Sequence, residues 1–199
     1  MSDRGRFIVF EGIDGSGTTT QTERLVAHLG QSGSAIGTAE PTDSEFGMLL
    51  RTVLRGTRPA PPATTALLFA ADRVDHLDRL IEPALDAGTH VVSDRYFVSS
   101  FAYQGSLLPL DFVKGINSRA RTPDLTLFLR VDPQVAMARI ASSRTERDDY
   151  ERLSFQRQVA AAYEAAITEP EAGRVEIIDG EQDPDAIASQ VRALITALF

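Results

Sequence analysis

The fold of this chain is most constrained by the regular alternation of short apolar runs and longer amphipathic segments along its 199 residues. Short apolar runs that end at turn residues are typical of buried strands, whereas apolar residues at i, i+3 and i+4 are typical of helices. The strand-like runs are RFIVFEG (6–12), SAIGTAEP (34–41), HVVSD (90–94), DLTLFLRVD (124–132) and RVEIIDG (174–180). Since strands separated by helices form a parallel sheet that is covered on both faces, the sequence predicts an α/β fold with a parallel five-stranded sheet flanked by helices.

Helical patterns fill the intervals between these runs. The predicted helices cover 18–33, 46–56, about 64–85, the segment that Pro133 opens and the segment that follows Asp183. Two intervals lack a helical pattern. TRPAPPATT (57–65) is rich in proline and predicts a surface loop. SSRTERDDY (142–150) is polar and unpatterned, which leaves two interpretations open, a solvated loop or a mobile lid.

The composition limits the kinds of partner that this chain can have. Its net charge is −8, whereas proteins that bind nucleic acid through phosphates usually carry a basic surface. No apolar run approaches the roughly 20 residues that span a bilayer, and the apolar stretch near the start is too short for a signal peptide. The chain has no cysteine, which excludes disulfides and cysteine-based metal sites. We therefore expect a single cytoplasmic, enzyme-sized domain without a nucleic-acid or membrane partner.

The glycine-rich stretch GIDGSGTTTQ (12–21) lies between the first strand and the first helix and nearly matches the phosphate-binding pattern G-x-x-x-x-G-K-[ST]. Glycines let backbone N–H groups approach an anion, and the following helix adds positive charge at its N-terminus. The candidate phosphate-binding residues are Gly12, Ile13, Asp14, Gly15, Ser16, Gly17, Thr18 and Thr19. Thr18 stands at the lysine position, and losing one donor to the transition state typically costs about 3–4 kcal/mol. Another cation must therefore supply this charge if the loop serves catalysis.

A second candidate feature follows the strand HVVSD. Asp94 ends this strand and is followed by Arg95. The carboxyl ends of parallel strands line the ligand crevice of such sheets. A carboxylate there, together with the hydroxyl of Thr19, predicts a Mg²⁺ site beside bound phosphates. A surface ion pair between Asp94 and Arg95 is the alternative.

Taken together, these segments resemble the thymidylate kinase family, and the similarity covers nearly the whole chain. The matching stretches are FIVFEGIDGSGTTTQ (7–21), AEPTDSEFGMLLR (39–51), LLFAADRVDHLDRLIEPALDAG (67–88), VVSDRYFVSSFAYQG (91–105), PDLTLFLRVDPQVAMARI (123–140) and YERLSFQRQVAAAY (150–163). The resemblance implies one three-layer P-loop NTPase domain over 1–199 with a short lid at about 142–150. It also implies transfer of the γ-phosphoryl group from ATP to dTMP with Mg²⁺, and a homodimer.

The resemblance assigns roles to the residues that match the family. Phe69 would stack on the thymine ring, Arg73 would donate to the base, and Arg95 would hold the acceptor phosphate. Ser100, Tyr103 and Gln104 would meet the base and sugar from one helical face, with Tyr103 against the 2′ carbon. Asp14 would lie near the sugar and the transferring phosphates, and Glu40, Pro41 and Arg51 would border the acceptor phosphate. Backbone near the lid and the turn around Asp179 to Asp183 would border the adenine.

The chain departs from the family pattern in the lid as well as at Thr18. Asp149 stands where the family usually has arginine, within Asp148-Asp149-Tyr150-Glu151. Lid arginines reach the donor phosphates in one subclass of the family. The resemblance therefore suggests that Arg144 or Arg147 replaces the missing lysine, although either arginine would equally fit a solvated pair with a neighbouring acid.

Three other functions compete with a thymidylate kinase. A kinase for another deoxynucleoside monophosphate, or for a deoxynucleoside, would differ in the base pocket. A protein that binds dTMP with little or no catalysis would explain Thr18 in place of lysine. A regulatory GTPase would need a guanine-reading signal of the Asn-Lys-x-Asp type, and the sequence has none.

Overall fold

A computed structural model of the chain describes residues 4–31, 33–140 and 146–197, and the side chains of all of these except 146–151. Its five strands are β1 (Phe7–Glu11), β2 (Ala35–Ala39), β3 (His90–Asp94), β4 (Leu125–Arg130) and β5 (Val175–Asp179). They form one sheet in the order β2-β3-β1-β4-β5, and every neighbouring pair is parallel. The predicted five-stranded parallel sheet is therefore confirmed.

Nine α-helices connect the strands within the described ranges. They are α1 (Thr18–Leu29), α2 (Glu45–Leu54), α3 (Pro62–His76), α4 (Glu82–Asp86), α5 (Phe97–Tyr103), α6 (Leu110–Ile116), α7 (Pro133–Ile140), α8 (Glu146–Ala166) and α9 (Pro184–Thr196). A π-helical turn, Leu77–Ile81, joins α3 to α4, and a short 3₁₀ turn, Pro170–Ala172, precedes β5. Side chains cap three of the described helices, since Ser44 accepts a hydrogen bond from Gly47 N, Asp132 accepts one from Gln134 N and Asp183 accepts one from Asp185 N.

The alternation of side chains along β1 divides the core between the two faces of the sheet. Phe7 and Val9 pack on the face that is covered by α5, α8 and the π-helical turn. Ile8 and Phe10 pack on the face that is covered by α1 and α9. All four side chains are buried, which explains why β1 is a continuous apolar run rather than an alternating one.

The structure differs from the sequence prediction at two connections. Helix α3 begins at Pro62, so the proline-rich loop is shorter than predicted, because proline is well suited to the first helical turn. The polar stretch predicted as a loop or lid is helical from Glu146 onward, while 141–145 lie outside the described residues. No helix in the described ranges is both long and apolar enough to cross a membrane.

Candidate active site

The candidate site lies at the edge of the sheet where β1 and β3 end side by side. Phe10 of β1 is in register with Asp94 of β3. The backbone N–H of Arg95 donates to the carbonyl oxygen of Phe10 at 2.9 Å. Ligands of parallel α/β sheets bind beyond the carboxyl ends of the strands. The glycine-rich loop after β1 and the residues that follow β3 therefore face one crevice.

The glycine-rich loop has the backbone conformation that an anion-binding loop requires. Gly15 and Gly17 have φ angles of +83° and +95°, which are unfavourable for residues that carry a Cβ. Ile13 is buried and fixes the start of the loop in the core, and Ser16 N donates to its carbonyl oxygen at 3.1 Å. The loop runs into the N-terminus of α1 at Thr18, where free N–H groups and the helix dipole favour an anion.

This loop opens onto a cavity of about 920 Å³, which we call the donor cavity. Its further walls come from the residue that follows β3, from α7, α8 and α9, and from the turn after β5. They are Arg95, Arg139, Ile140, Arg152, Gly180, Glu181, Gln182, Asp183, Pro184 and Ile187. Arg139 reaches back to the loop, where its Nη1 donates to the carbonyl oxygen of Gly15 at 3.4 Å. The donor cavity is thus lined by N–H groups and by three arginines.

The side chain at the lysine position contributes no charge to this cavity. Thr18 is buried, with 5% of its surface exposed. The two lid arginines cannot be compared with it, because Arg144 and the side chain of Arg147 lie outside the described residues. Arg152 was missed by sequence reasoning. It lies in the matching stretch 150–163, to which no role was assigned, and it lines the cavity because α8 folds back over the site.

Thr19 and Asp94 form the pair that the sequence proposed for a metal ion. The hydroxyl of Thr19 donates to Asp94 Oδ2 at 2.5 Å. Asp94 Oδ1 is buried and has no hydrogen-bond partner among the described residues. Within those residues no cluster of three or more His, Cys, Asp or Glu side chains is placed to hold a metal. The pair fits Mg²⁺, which usually takes one or two protein ligands and completes its shell with phosphates and water.

Arg95, Asp14 and Tyr103 form a connected cluster beside the loop. Arg95 Nη2 donates to Asp14 Oδ1 at 2.8 Å, and the Tyr103 hydroxyl donates to the same oxygen at 3.0 Å. The guanidinium of Arg95 lies over the Tyr103 ring, 5.4 Å from its centroid. Burial raises the pKa of Tyr103 to about 12, so its hydroxyl keeps its proton at neutral pH. Gln156 of α8 completes the cluster by donating to Asp14 Oδ2 at 3.3 Å.

A second cavity of about 510 Å³, which we call the acceptor cavity, opens on the other side of this cluster. Six residues predicted to bind the acceptor substrate line it besides Arg95. They are Glu40, Pro41, Phe69, Arg73, Tyr103 and Gln104 together with Asp14 from the loop. Sequence reasoning missed other walls of this cavity, among them Leu107 and Phe155, which come from a loop and from α8.

Two predicted substrate residues lie outside the walls of the acceptor cavity. Ser100 is buried behind it and accepts a hydrogen bond from Arg73 Nη1 at 3.2 Å. Arg51 braces the loop before α2, where its Nη2 donates to the carbonyl oxygen of Pro41 at 2.6 Å and to Asp43 Oδ1 at 3.1 Å. Both residues thus contact groups that shape the cavity.

The base of the acceptor cavity is a buried charge network around Arg73. Arg73 Nη2 lies 2.6 Å from Glu40 Oε2, and both side chains are 2% exposed. The other oxygen of Glu40 lies 3.1 Å from His76 Nδ1. Asn117 also accepts a hydrogen bond from Arg73. The charge on Arg73 is matched within the protein, which a buried arginine requires.

The two cavities meet at Asp14 and Arg95, which line both of them. One cavity offers backbone N–H groups and arginines, and the other offers aromatic and amide side chains with a buried arginine. If one phosphorylated ligand occupied each cavity, the phosphates of the two ligands would face each other at Asp14 and Arg95. The arrangement suits a reaction between two phosphorylated molecules.

Comparison with known proteins gives one consistent result. A family model described as thymidylate kinase matches residues 10–191. A probable thymidylate kinase of Pyrobaculum aerophilum is 40% identical over 190 residues, which are 95% of this chain and 95% of that protein. A probable thymidylate kinase of Halobacterium salinarum is 38% identical over 94% of each chain. A thymidylate kinase of Thermomicrobium roseum is 38% identical over 97% of this chain and 95% of its own length.

Proposed function

This chain belongs to the thymidylate kinase family, and from that premise we propose that its donor and acceptor cavities hold ATP and dTMP. It is an enzyme that transfers the γ-phosphoryl group of ATP to dTMP, giving ADP and dTDP for nucleotide biosynthesis. The observation that carries the placement of the substrates is the shared wall of the two cavities, Asp14 and Arg95.

The acceptor phosphate needs alignment more than it needs a base. Its second pKa is about 6, so the attacking oxygen is mostly deprotonated at neutral pH. Arg95 is placed to hold this phosphate, and Asp14 and Tyr103 orient the guanidinium through hydrogen bonds of 2.8 and 3.4 Å. Catalysis then consists of positioning and charge neutralisation around a loose transition state.

On the donor side, the backbone of the loop and the N-terminus of α1 cradle the ATP phosphates. We propose that Arg139 and Arg152 supply the charge that Thr18 lacks, because both line the cavity beside Gly15. Arg144 and Arg147 stay predictions for the same role. Thr19 and Asp94 would hold Mg²⁺, which would neutralise charge on the phosphates when bound.

Phe69, Tyr103 and Gln104 make the acceptor cavity suitable for a pyrimidine base and its deoxyribose. Phe69 is half-buried and faces the cavity, so its ring is free to stack on a base. Arg73 Nε is buried with no hydrogen-bond partner among the described residues. Because an unpaired buried donor costs free energy, a base oxygen that accepts a hydrogen bond from this N–H would be favoured.

A substrate panel tests this function. ADP release is measured with saturating ATP and Mg²⁺ over a range of concentrations of, in turn, dTMP, dCMP, dGMP or thymidine, so that kcat/KM is obtained for each acceptor. The expected result is that dTMP gives the highest kcat/KM. A higher kcat/KM for dCMP or thymidine would move the chain to another kinase activity, and dTMP binding without ADP release would leave a binding protein.

We also propose that the chain forms a homodimer, as the resemblance implies. Apolar side chains are exposed on neighbouring helices, at Phe46 and Met48 on α2 and at Leu67 on α3. Such side chains are commonly covered by a partner. Light scattering on purified protein should give twice the 21.6 kDa mass of the chain, and a single-chain mass at micromolar concentration would contradict the proposal.

A further inference from the structure

The mechanism described above leaves one buried ionisable group next to the site unused. Glu11 is the last residue of β1, and its side chain is fully buried. A buried carboxylate is costly unless it is hydrogen-bonded, so its contacts indicate what it holds. Glu11 Oε1 accepts hydrogen bonds from the backbone N–H groups of Tyr96 at 3.0 Å and Ser99 at 3.1 Å. Its Oε2 accepts from the Ser99 hydroxyl at 2.6 Å and the Tyr163 hydroxyl at 3.0 Å.

These contacts surround Arg95, whose backbone conformation is unusual. Arg95 has φ of +70° and is the sole non-glycine residue with positive φ among the described residues. This left-handed region is disfavoured for a residue with a Cβ, so the surrounding structure must impose it. Two hydrogen bonds to strand β1 fix the backbone before and after the Cα of Arg95. Arg95 N donates to Phe10 O at 2.9 Å, and Tyr96 N donates to Glu11 Oε1 at 3.0 Å.

Glu11 also reaches the side chain of Arg95 through Tyr163. The Tyr163 hydroxyl lies within hydrogen-bond distance of both Glu11 and Ser99. It accepts a hydrogen bond from Arg95 Nη1 at 3.3 Å. The guanidinium is therefore held between Asp14 on the cavity side and the Tyr163 hydroxyl on the core side.

We propose that Glu11 is a positioning residue that fixes Arg95, in backbone and in side chain, in the conformation that clamps the phosphate of dTMP. The inference rests on the proposed function, because it assigns a support to the residue that would hold the acceptor phosphate. Glu11 would not itself touch the substrate, and the residues proposed to hold the base, Phe69, Arg73 and Gln104, are not among its hydrogen-bond partners.

The test compares a ligand that has the phosphate with one that lacks it. Affinities for dTMP and for thymidine are measured by calorimetry in the wild-type chain and in Glu11→Met, which keeps the length of the side chain and removes its acceptors. Thr126→Val is the matched control, because Thr126 is fully buried in β4 and donates to Ala172 O at 3.0 Å, away from the site. Circular dichroism establishes that each variant is folded.

The expected result is a loss of dTMP affinity of roughly 10- to 100-fold in Glu11→Met, the size that corresponds to releasing a strained residue. Thymidine affinity stays within roughly twofold of the wild type, and Thr126→Val changes neither. Equal losses for both ligands would overturn the proposal, because they would indicate a general structural defect. Unchanged dTMP affinity would overturn it as well.

Two further measurements keep the test decisive. If Glu11→Met does not fold, Glu11→Asp is used instead, because it shortens the side chain by one methylene and keeps the carboxylate. We expect Glu11→Asp to lose affinity for dTMP and to keep its affinity for thymidine. Wild-type affinity for dTMP in Glu11→Asp would overturn the proposal. If the wild-type chain does not bind dTMP, the proposed function fails. The exchange rate of the Tyr96 amide hydrogen then decides the inference by itself, since it should rise in Glu11→Asp and an unchanged rate would contradict it.

Discussion

At the scale of single residues, Arg73 is held at the base of the acceptor cavity by a buried network of charged and polar groups. Its charge is matched by Glu40 in a fully buried pair. Ser100 and Asn117 accept hydrogen bonds from it, and the guanidinium lies 5.3 Å from the centroid of the Tyr96 ring. Removing one partner of a buried pair leaves the other charge uncompensated, which costs far more than breaking a surface pair.

Glu40→Ala is therefore expected to lower the free energy of unfolding by about 3–5 kcal/mol. Urea unfolding followed by circular dichroism measures this loss. The control is Arg79→Ala, which breaks the pair between Arg79 and Asp75, where the arginine side chain is 78% exposed. This variant should lose at most about 1 kcal/mol. Similar decreases in the free energy of unfolding in the two variants would show that the buried pair of Arg73 and Glu40 stabilises the fold no more than a surface pair does.

Glu11 makes stability depend on pH in the opposite direction to an ordinary paired carboxylate. Burial raises its pKa from 4.5 to about 7, against the opposing effects of Ser99, Arg95 and Tyr163. Between those two values the folded chain binds a proton at Glu11 that the unfolded chain has released. The stabilisation from Glu11 is therefore complete below pH 4.5 and is lost as the pH rises through about 7.

We predict that Glu11→Gln removes this dependence. The free energy of unfolding is measured at pH 5 and pH 8 in both chains, so that all other titrating groups cancel in the comparison. The decrease between the two pH values should be smaller in the variant by up to about 3 kcal/mol. An equal decrease in the two chains would mean that the pKa of Glu11 is not raised.

At the scale of elements, the sequence predicted the sheet because each strand is a local apolar run that ends in a turn residue. It did not predict the π-helical turn Leu77–Ile81 inside what was expected as one helix. Pro83 supplies the reason, since proline cannot donate to the carbonyl four residues earlier and its ring crowds that carbonyl. The helix widens just before Pro83 and continues as α4.

The site was predictable where it depends on short stretches of chain. The glycine-rich loop, Asp94 and Arg95 each follow directly from a strand end, and family resemblance supplied Phe69 and the residues of α5. Arg152 and Gln156 lie in the matching stretch 150–163 but were assigned no role, because they come to the site only through the return of α8 across the sheet, more than 130 residues after the loop. Such long-range packing leaves no periodic signal in the sequence.

Two glycines of the loop offer a test of its geometry. A Cβ on Gly15 would lie 2.4 Å from the backbone oxygen of Ala136, which cannot move easily, whereas a Cβ on Gly17 would meet nothing within 4 Å. Gly17→Ala thus has only the left-handed backbone cost of about 1–2 kcal/mol. We expect Gly15→Ala to raise the KM for ATP considerably more than Gly17→Ala does, with the KM for dTMP within roughly twofold of wild type in both. The reverse order would contradict the loop conformation described here.

Helices α7 and α8 contribute the arginines that would replace the missing lysine. Loss of one such donor should lower kcat by roughly 10²- to 10³-fold, as for other transition-state donors. Arg139→Ala and Arg152→Ala are each compared with Arg157→Ala, an exposed arginine of α8 that does not line the donor cavity. Wild-type kcat in both Arg139→Ala and Arg152→Ala would exclude these residues and leave Arg144 and Arg147 as the predicted source of charge.

At the scale of the whole molecule, the chain places two cavities on either side of one charged cluster. The net charge is −8, yet Arg95, Arg139 and Arg152 gather at the donor cavity. An acidic total charge is therefore compatible with a site for two anionic nucleotides, because interactions over a few ångströms dominate over distant screened charges. We therefore expect this arrangement to catalyse phosphoryl transfer with threonine at the lysine position.

The most direct test follows a labelled phosphoryl group. Wild-type protein is incubated with ATP labelled at the γ-phosphate, Mg²⁺ and dTMP, and the products are separated beside the same reaction with Thr18→Lys. We expect labelled dTDP from the wild-type chain over many turnovers. Bound dTMP with no labelled dTDP from the wild type, and labelled dTDP only from Thr18→Lys, would contradict it.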